Sequence, residues 1–194
     1  MSYVTEHPAF GRSMTLDEWA AMDEDEPGEL VDGRLEEEEV PDLVHELVVG
    51  SLFWIIKNWL GARGWIFTSD GKYAVRADRG RKPDLAVYLA RSAKPEPHGL
   101  VRVPPDIAVE VVSPSPRDQR RDRIEKMNEY AEFGVRFYWL FDASLRSLEI
   151  WELTAGRYSR AASATEGVMQ NVPGCEGLVI DLDAIWKEIS ELED

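Results

Sequence analysis

Pro105-Asp106-Ile107-Ala108-Val109-Glu110-Val111-Val112 reads as a buried β-strand that carries one carboxylate in its middle. Desolvation opposes the charge on Glu110 unless a partner, a metal or a hydrogen-bond network receives it. A second Pro-Asp step, Pro83-Asp84, opens another apolar run, Asp84-Leu85-Ala86-Val87-Tyr88-Leu89, so two strands can each bring one acid to a common point. Two such acids and a nearby lysine make a metal-dependent hydrolase a candidate.

Working outward, Thr15-Leu16-Asp17-Glu18 has capping-box spacing and starts a short helix that ends before Pro27. Glu29-Leu30-Val31 and Arg34-Leu35, joined by Asp32-Gly33, form a tight hairpin, because that dipeptide accepts the positive φ angles of a type I′ turn. Pro41 suits the first turn of a helix running to about Leu60, with Val44, Leu47, Val48, Phe53, Ile55, Ile56 and Trp59 as its apolar stripe and Gly61 or Gly64 as its stop. Trp65-Ile66-Phe67-Thr68, an Asp70-Gly71 turn and Tyr73-Ala74-Val75 precede the two acid-bearing strands. The link over 92–104 is proline-rich and expected to be a surface loop. Ser113-Pro114-Ser115-Pro116 stops the Glu110 strand, and a helix follows over 117–133, closed by Gly134. Further strands are expected over 136–141, 147–153 and 158–162. The order predicts an α/β domain, a mixed sheet flanked by helices, spanning 1–194 as one unit.

Composition narrows the function. A chain of 194 residues, 44% hydrophobic with seven Trp, has the material for one sizeable core. A single cysteine, Cys175, excludes an intramolecular disulfide and a cysteine zinc cluster, and suits a reducing compartment. The N-terminus shows no basic-then-apolar segment and no apolar run reads as long enough for a bilayer, so a cytoplasmic protein without membrane partners is expected. The net charge of −15 argues against a general nucleic-acid binder. That charge is uneven, however. Acids gather at Asp23-Glu24-Asp25-Glu26 and Glu36-Glu37-Glu38-Glu39, whereas the basic stretches Arg79-Gly80-Arg81-Lys82 and Arg117-Asp118-Gln119-Arg120-Arg121-Asp122-Arg123 flank the two Pro-Asp strands. Each run alone reads as solvated surface. Their position beside the suspected acids makes Arg81, Lys82 and Arg117 candidates for contact with a phosphate backbone.

Strand alternation puts Glu110 on one face with Ala108 and Val112. A lysine at position 112 would complete the site, but valine stands there. Lys126 on the following helix, at the edge of an apolar face of Ile124, Met127 and Ala131, can lay its stem on the core and direct its ammonium towards the sheet.

The pieces Glu29-Leu30-Val31-Asp32-Gly33-Arg34-Leu35, His45 on a helix, Lys82-Pro83-Asp84-Leu85, the Glu110 strand with Ser113-Pro114-Ser115, Glu125-Lys126, Tyr130, Gly134-Val135 and Tyr138-Trp139-Leu140 together resemble the Uma-type restriction endonucleases of the PD-(D/E)XK nuclease superfamily. The resemblance covers about 14–153. It implies that Asp84 and Glu110 hold a divalent ion with help from the Val111 carbonyl. It also implies that Lys126 replaces the lysine absent at Val112, and that Glu29 and His45 lie near the site. Carboxylate donors favour Mg²⁺ or Mn²⁺. The implied reaction is hydrolysis of DNA phosphodiester bonds, with weak, salt-dependent DNA binding and, by analogy with nucleases that cut both strands, a homodimer. Two alternatives stand beside it. One is a catalytically silent nucleic-acid-binding domain on the same fold. The other is a protein-interaction module whose acidic surface mimics nucleic acid. A nucleophile-elbow serine and a zinc-spaced histidine cluster are both missing, which disfavours other hydrolases.

Overall fold

The structure is a computed structural model, and it describes residues 10–23, 28–37, 41–89, 94–113 and 115–193. Residues 24–26 and 38–39, where the two acidic runs continue, therefore lie outside the described residues, as do His7 and Pro114.

The N-terminal elements follow their local chemistry. Helix α1 (Leu16–Ala20) is closed at its start by a reciprocal capping box between Thr15 and Glu18. Strands β1 (Glu29–Val31) and β2 (Arg34–Glu36) pair through Asp32 and Gly33, whose φ angles of 50° and 68° are those of a type I′ turn. Helix α2 (Leu43–Leu60) starts at Asp42, whose side chain caps His45 N, so Pro41 stands ahead of the cap rather than in the first turn. Gly61 ends it at positive φ.

Strands β3 (Gly64–Thr68), β4 (Tyr73–Arg76), β5 (Arg79–Arg81), β6 (Leu85–Leu89) and β7 (Ile107–Val112) come next. Strand β5 corrects the reading of the basic stretch as surface: it pairs with both β1 and β4, and Arg81 is fully buried. Glycine is required at position 80, where a Cβ would sit 2.1 Å from the Trp19 ring. The proline-rich link is also less loop-like than expected, since Val101 is buried and its backbone bridges Tyr73.

After β7 the chain crosses over through α3 (Pro116–Arg120), a π-helical turn at Arg121–Lys126 and α4 (Met127–Phe133), with Ser115 as N-cap and Gly134, φ 98°, as C-cap. Strands β8 (Phe137–Asp142), β9 (Ser147–Thr154) and β10 (Arg157–Ala164) follow, then β11 (Val168–Met169), β12 (Ile180–Asp181) and α5 (Leu182–Glu193). The main sheet has the order β10-β9-β8-β7-β6-β3 and is mixed. Among the described strands only β7 and β8 pair in parallel, which is why the helical crossover must lie between them. A smaller sheet, β2-β1-β5-β4, carries the hairpin.

Alternation along β7 sorts the core. Ile107, Val109 and Val111 join the cluster built on Val48, Leu52, Ile56 and Leu60 of α2 and Leu182, Ile185, Trp186 and Ile189 of α5. Ala108 and Val112 join Tyr130 and Tyr138 on the other side. Glu110, of the same parity, faces that second layer. Each fully buried aliphatic side chain contributes roughly 1.5–3 kcal/mol relative to exposure, so both faces of β7 are committed.

Two further expectations need correction. The 18 residues of α2, with mean hydropathy 1.2, are long and apolar enough by length and composition to cross a bilayer. Their Val48-Leu52-Ile56-Leu60 stripe is packed against the sheet, as in a core helix of a folded domain. On the crossover, the face turned inward is not wholly apolar: Ile124 is 54% exposed, whereas Asp122, Lys126 and Glu129 are buried. Charged partners across the layer hold that face inward alongside the apolar contacts of Met127, Tyr130 and Phe133.

Candidate active site

The antiparallel pairing of β6 with β7 matches Leu85 to Val109 and Ala86 to Ala108. Continuing that register by one residue sets Asp84 opposite Glu110, where cross-strand neighbours have Cβ atoms about 4.5–5.5 Å apart. Asp84 is held there by the Val111 N–H, which donates to its Oδ2 at 2.7 Å, and by His45 Nε2 from α2, 3.3 Å from Oδ1. The two acids thus share one end of one face of the sheet. Both line a cavity of about 120 Å³ together with Glu29, His45, Lys82, Val111, Arg121, Asp122 and Lys126.

Lys126 enters from the π-helical turn and donates to Glu110 Oε2 at 2.7 Å, with Asp122 Oδ1 at 3.4 Å and Glu29 Oε1 at 3.8 Å. Tyr130, one turn on, donates to Glu110 Oε1 at 2.8 Å. A π-turn bulges the helix backbone, a distortion common at functional sites. Here it spans the segment from Arg121 to Lys126 that borders the cavity.

Glu29 is fixed from behind. Arg81 donates to its Oε2 at 2.6 Å and the Lys82 N–H to its Oε1 at 3.0 Å. Arg81 also forms a two-pronged contact with Glu129 of α4, Nε to Oε2 at 2.6 Å and Nη2 to Oε1 at 3.0 Å, and Arg79 joins the same carboxylate. This network ties the hairpin sheet to the crossover helix. Arg81 is therefore corrected from a surface contact to a buried structural cation, because a guanidinium with no exposed area cannot meet a phosphate backbone. Arg117 is an exposed side chain with Glu36 3.9 Å away.

Charge in the cavity is unbalanced. Glu29, Glu46, Asp84, Glu110 and Asp122 line it against Lys82, Arg121 and Lys126, five carboxylates to three cations. Burial pushes the Glu110 carboxyl up, Lys126 opposes that shift, and Asp84, Asp122 and Glu29 reinforce it. Asp122 is raised by burial as well, against Lys126 and Arg121. Burial also works against the Glu29 charge, but Lys126, Arg81 and the Lys82 N–H overcome it and hold this carboxyl down to about 2. The Lys126 ammonium is stabilised above its ordinary range, since Glu110, Glu29 and Asp122 outweigh its burial.

Among the described residues, no three His, Cys, Asp or Glu side chains are gathered as ligands of one ion. A magnesium-type site does not require three, because Mg²⁺ is commonly held by one or two carboxylates while water and phosphate complete the shell. The donor set fits such an ion: hard carboxylate oxygens opposed across two strands, an excess of negative charge, and a buried Asp122 Oδ1 that accepts no hydrogen bond and has only the 3.4 Å ion-pair contact with Lys126.

Asp84, Glu110, Lys126, Glu29 and His45 thus line one cavity. Asp122, Arg121 and Tyr130 belong with them in space. For Asp122 and Tyr130 the signal is the i, i+4 series Asp118, Asp122, Lys126 and Tyr130 along one helix face, largely polar; Arg121 lies outside that series.

A sequence model of the Uma2 family, described as "Putative restriction endonuclease", matches residues 15–183. The crystal structure of a "putative nuclease belonging to DUF820" from Anabaena variabilis superposes with a TM-score of 0.71 at 17% identity, covering 90% of this chain and 98% of that one. No curated protein matches the chain. The sheet order and helical layers are accordingly those of a restriction-endonuclease-like fold.

Proposed function

The chain belongs to the Uma2 family, and on that premise we propose that it is a divalent-metal-dependent endonuclease hydrolysing phosphodiester bonds of DNA. The observation that carries this reading is the convergence of Asp84, Glu110 and Lys126 on one cavity from two strands and a separate helix.

Asp84 and Glu110, with the Val111 carbonyl, would hold Mg²⁺ or Mn²⁺. Such an ion supplies Lewis-acid charge at the scissile phosphate and lowers the pKa of an attacking water. The chain's own residues do the rest. Val111 N–H and His45 orient Asp84, Tyr130 orients Glu110, and Lys126 brings a buried positive charge to where negative charge develops on the phosphate. Lys82 and Arg117 are the proposed backbone contacts.

Purified protein should bind Mn²⁺ and nick supercoiled DNA, and Asp84→Ala should abolish both. Retention of both by Asp84→Ala would end this reading. A protein that binds neither Mn²⁺ nor DNA would favour the interaction-module alternative.

A further inference from the structure

A second cleft, about 480 Å³, opens beside the catalytic cavity. Trp65 and Phe67 of β3 and the buried Tyr73 of β4 line it, with Val101, the carboxylates Asp70 and Glu96, and the exposed Lys94 and His98 around them. Trp65 is 41% and Phe67 40% exposed, a large apolar area to leave in water on an edge strand. Phe67 is braced edge-on against Tyr88, with ring centroids 6.0 Å apart.

Register places this cleft relative to the acids. Trp65 pairs with Tyr88 and Phe67 with Ala86, while Ala86 pairs with Ala108, the neighbour of Glu110 on its own face of β7. Trp65, Phe67 and Glu110 therefore share one face of the main sheet. The two cavities meet at the end of β3: Thr68 and Asp70 line the aromatic cleft, and Ser69 between them lines the catalytic one.

We propose that the aromatic cleft holds an unpaired nucleobase of the DNA adjoining the scissile phosphate, so that the preferred substrate has single-stranded character. This rests on the nuclease reading above and deepens it to a substrate class. A net charge of −15 and a cavity with five carboxylates leave little affinity to be drawn from phosphates. Stacking on aromatic faces needs no positive charge and accepts any base. An intact duplex keeps its bases inside the stack and cannot fill a recess of this kind, whereas an unpaired base can enter it and place its own phosphate at the neighbouring acids. The volume falls in the range of sites that enclose a small aromatic ligand.

The test is fluorescence anisotropy in EDTA, with a labelled single-stranded oligodeoxynucleotide and the duplex of the same sequence as probes. The single strand is expected to bind tighter than the duplex. Trp65→Ala and Phe67→Ala should each weaken single-strand binding by about 10-fold or more, with Mn²⁺ affinity unchanged. Trp65→Phe should keep most of the binding while losing part of the tryptophan quenching that the single strand causes in the wild type, a readout that does not depend on the alanine variants folding. Equal single-strand affinity in wild type and both alanine variants would overturn the proposal. So would tighter binding of duplex, or a dimer that becomes monomeric on Trp65→Ala, which would show a second copy to be the occupant. The two readings fail separately. Cleavage lost in Asp84→Ala with single-strand binding indifferent to Trp65 would remove the cleft alone. Single-strand binding that depends on Trp65 in a protein that never cleaves would remove the nuclease alone and leave the cleft.

Discussion

Lys126 Nζ lies 2.7 Å from Glu110 Oε2, although the ammonium belongs to a helix and the carboxylate to a strand sixteen residues earlier. The strand position two residues past Glu110, on the same face, is Val112, packed in the apolar layer with Tyr130 and Tyr138. A cation is thus supplied to the strand acid from across the layer, on a π-helical turn that also carries Asp122 to the cavity.

Lys126→Ala should reduce DNA cleavage by about 10²-fold or more, because the lost charge acts in the transition state. Mn²⁺ binding, followed by calorimetry, should not weaken, since removing a cation beside two ligands cannot disfavour another cation. Lys126→Arg should rescue poorly, a planar guanidinium being unable to occupy the position of a compact ammonium. Lys57, exposed on α2, is the control, and its alanine variant should cleave like the wild type. Wild-type cleavage by Lys126→Ala would remove this residue from the mechanism.

Arg81→Ala should destabilise the fold by about 3–5 kcal/mol, the usual cost of leaving buried charges uncompensated. Glu29 and Glu129 both lose their guanidinium contact with Arg81 in that variant, Glu29 keeping the Lys82 N–H and Glu129 keeping Arg79. Arg81→Lys should recover only part of the loss, because one ammonium cannot span two carboxylates in the geometry of the guanidinium fork. Denaturant unfolding measures the effect, and a loss within experimental error would show the network to be dispensable.

Arg117→Ala should leave stability unchanged and lower the salt slope of DNA binding by about one unit, the signature of a single phosphate contact. Arg117 is exposed and only loosely paired with Glu36. Anisotropy at several salt concentrations gives the slope. A slope identical to that of the wild type would place the DNA elsewhere.

Acid should destabilise the protein through Glu29. Its carboxyl is held down to about 2 from an ordinary value of 4.5, so the folded state binds its proton less readily than the unfolded chain. The contribution is complete above pH 4.5 and is lost as pH falls from there towards 2. For a fully buried group, that interval corresponds to about 3 kcal/mol. Glu29→Gln should be less stable than the wild type at neutral pH, and the gap should narrow as the pH is lowered to about 3. Denaturation midpoints that keep a constant gap across that range would exclude Glu29 as the source of acid sensitivity.

Much of the architecture was legible locally. The capping box at Thr15, the Asp32-Gly33 turn, the α2 stop at Gly61, the helix stop at Gly134 and the strands β6 to β10 all follow from side-chain and backbone preferences acting over a few residues. Strand β5 was not legible. Arg79-Gly80-Arg81 has the composition of a solvated turn, and it is a strand only because Glu29 and Glu129 receive its arginines while Trp19 covers its glycine. The C-terminal helix was not anticipated either, although Leu182, Ile185, Trp186 and Ile189 have the spacing of an inward stripe.

The candidate site divides along the same line. The sequence by itself determined that Asp84 and Glu110 each need a reason to sit beside apolar strand residues, because desolvation of a carboxylate is costly whatever surrounds it. Tertiary structure alone decided what that reason is. The β6–β7 register opposes the two acids, the crossover helices deliver Lys126 and Tyr130 to Glu110, and the hairpin sheet brings Glu29 and Arg81 up behind them. Electrostatic pairing acts through space between residues far apart in the chain, so the same polar pattern that reads as a solvated helix face in one dimension becomes a buried charge cluster in three.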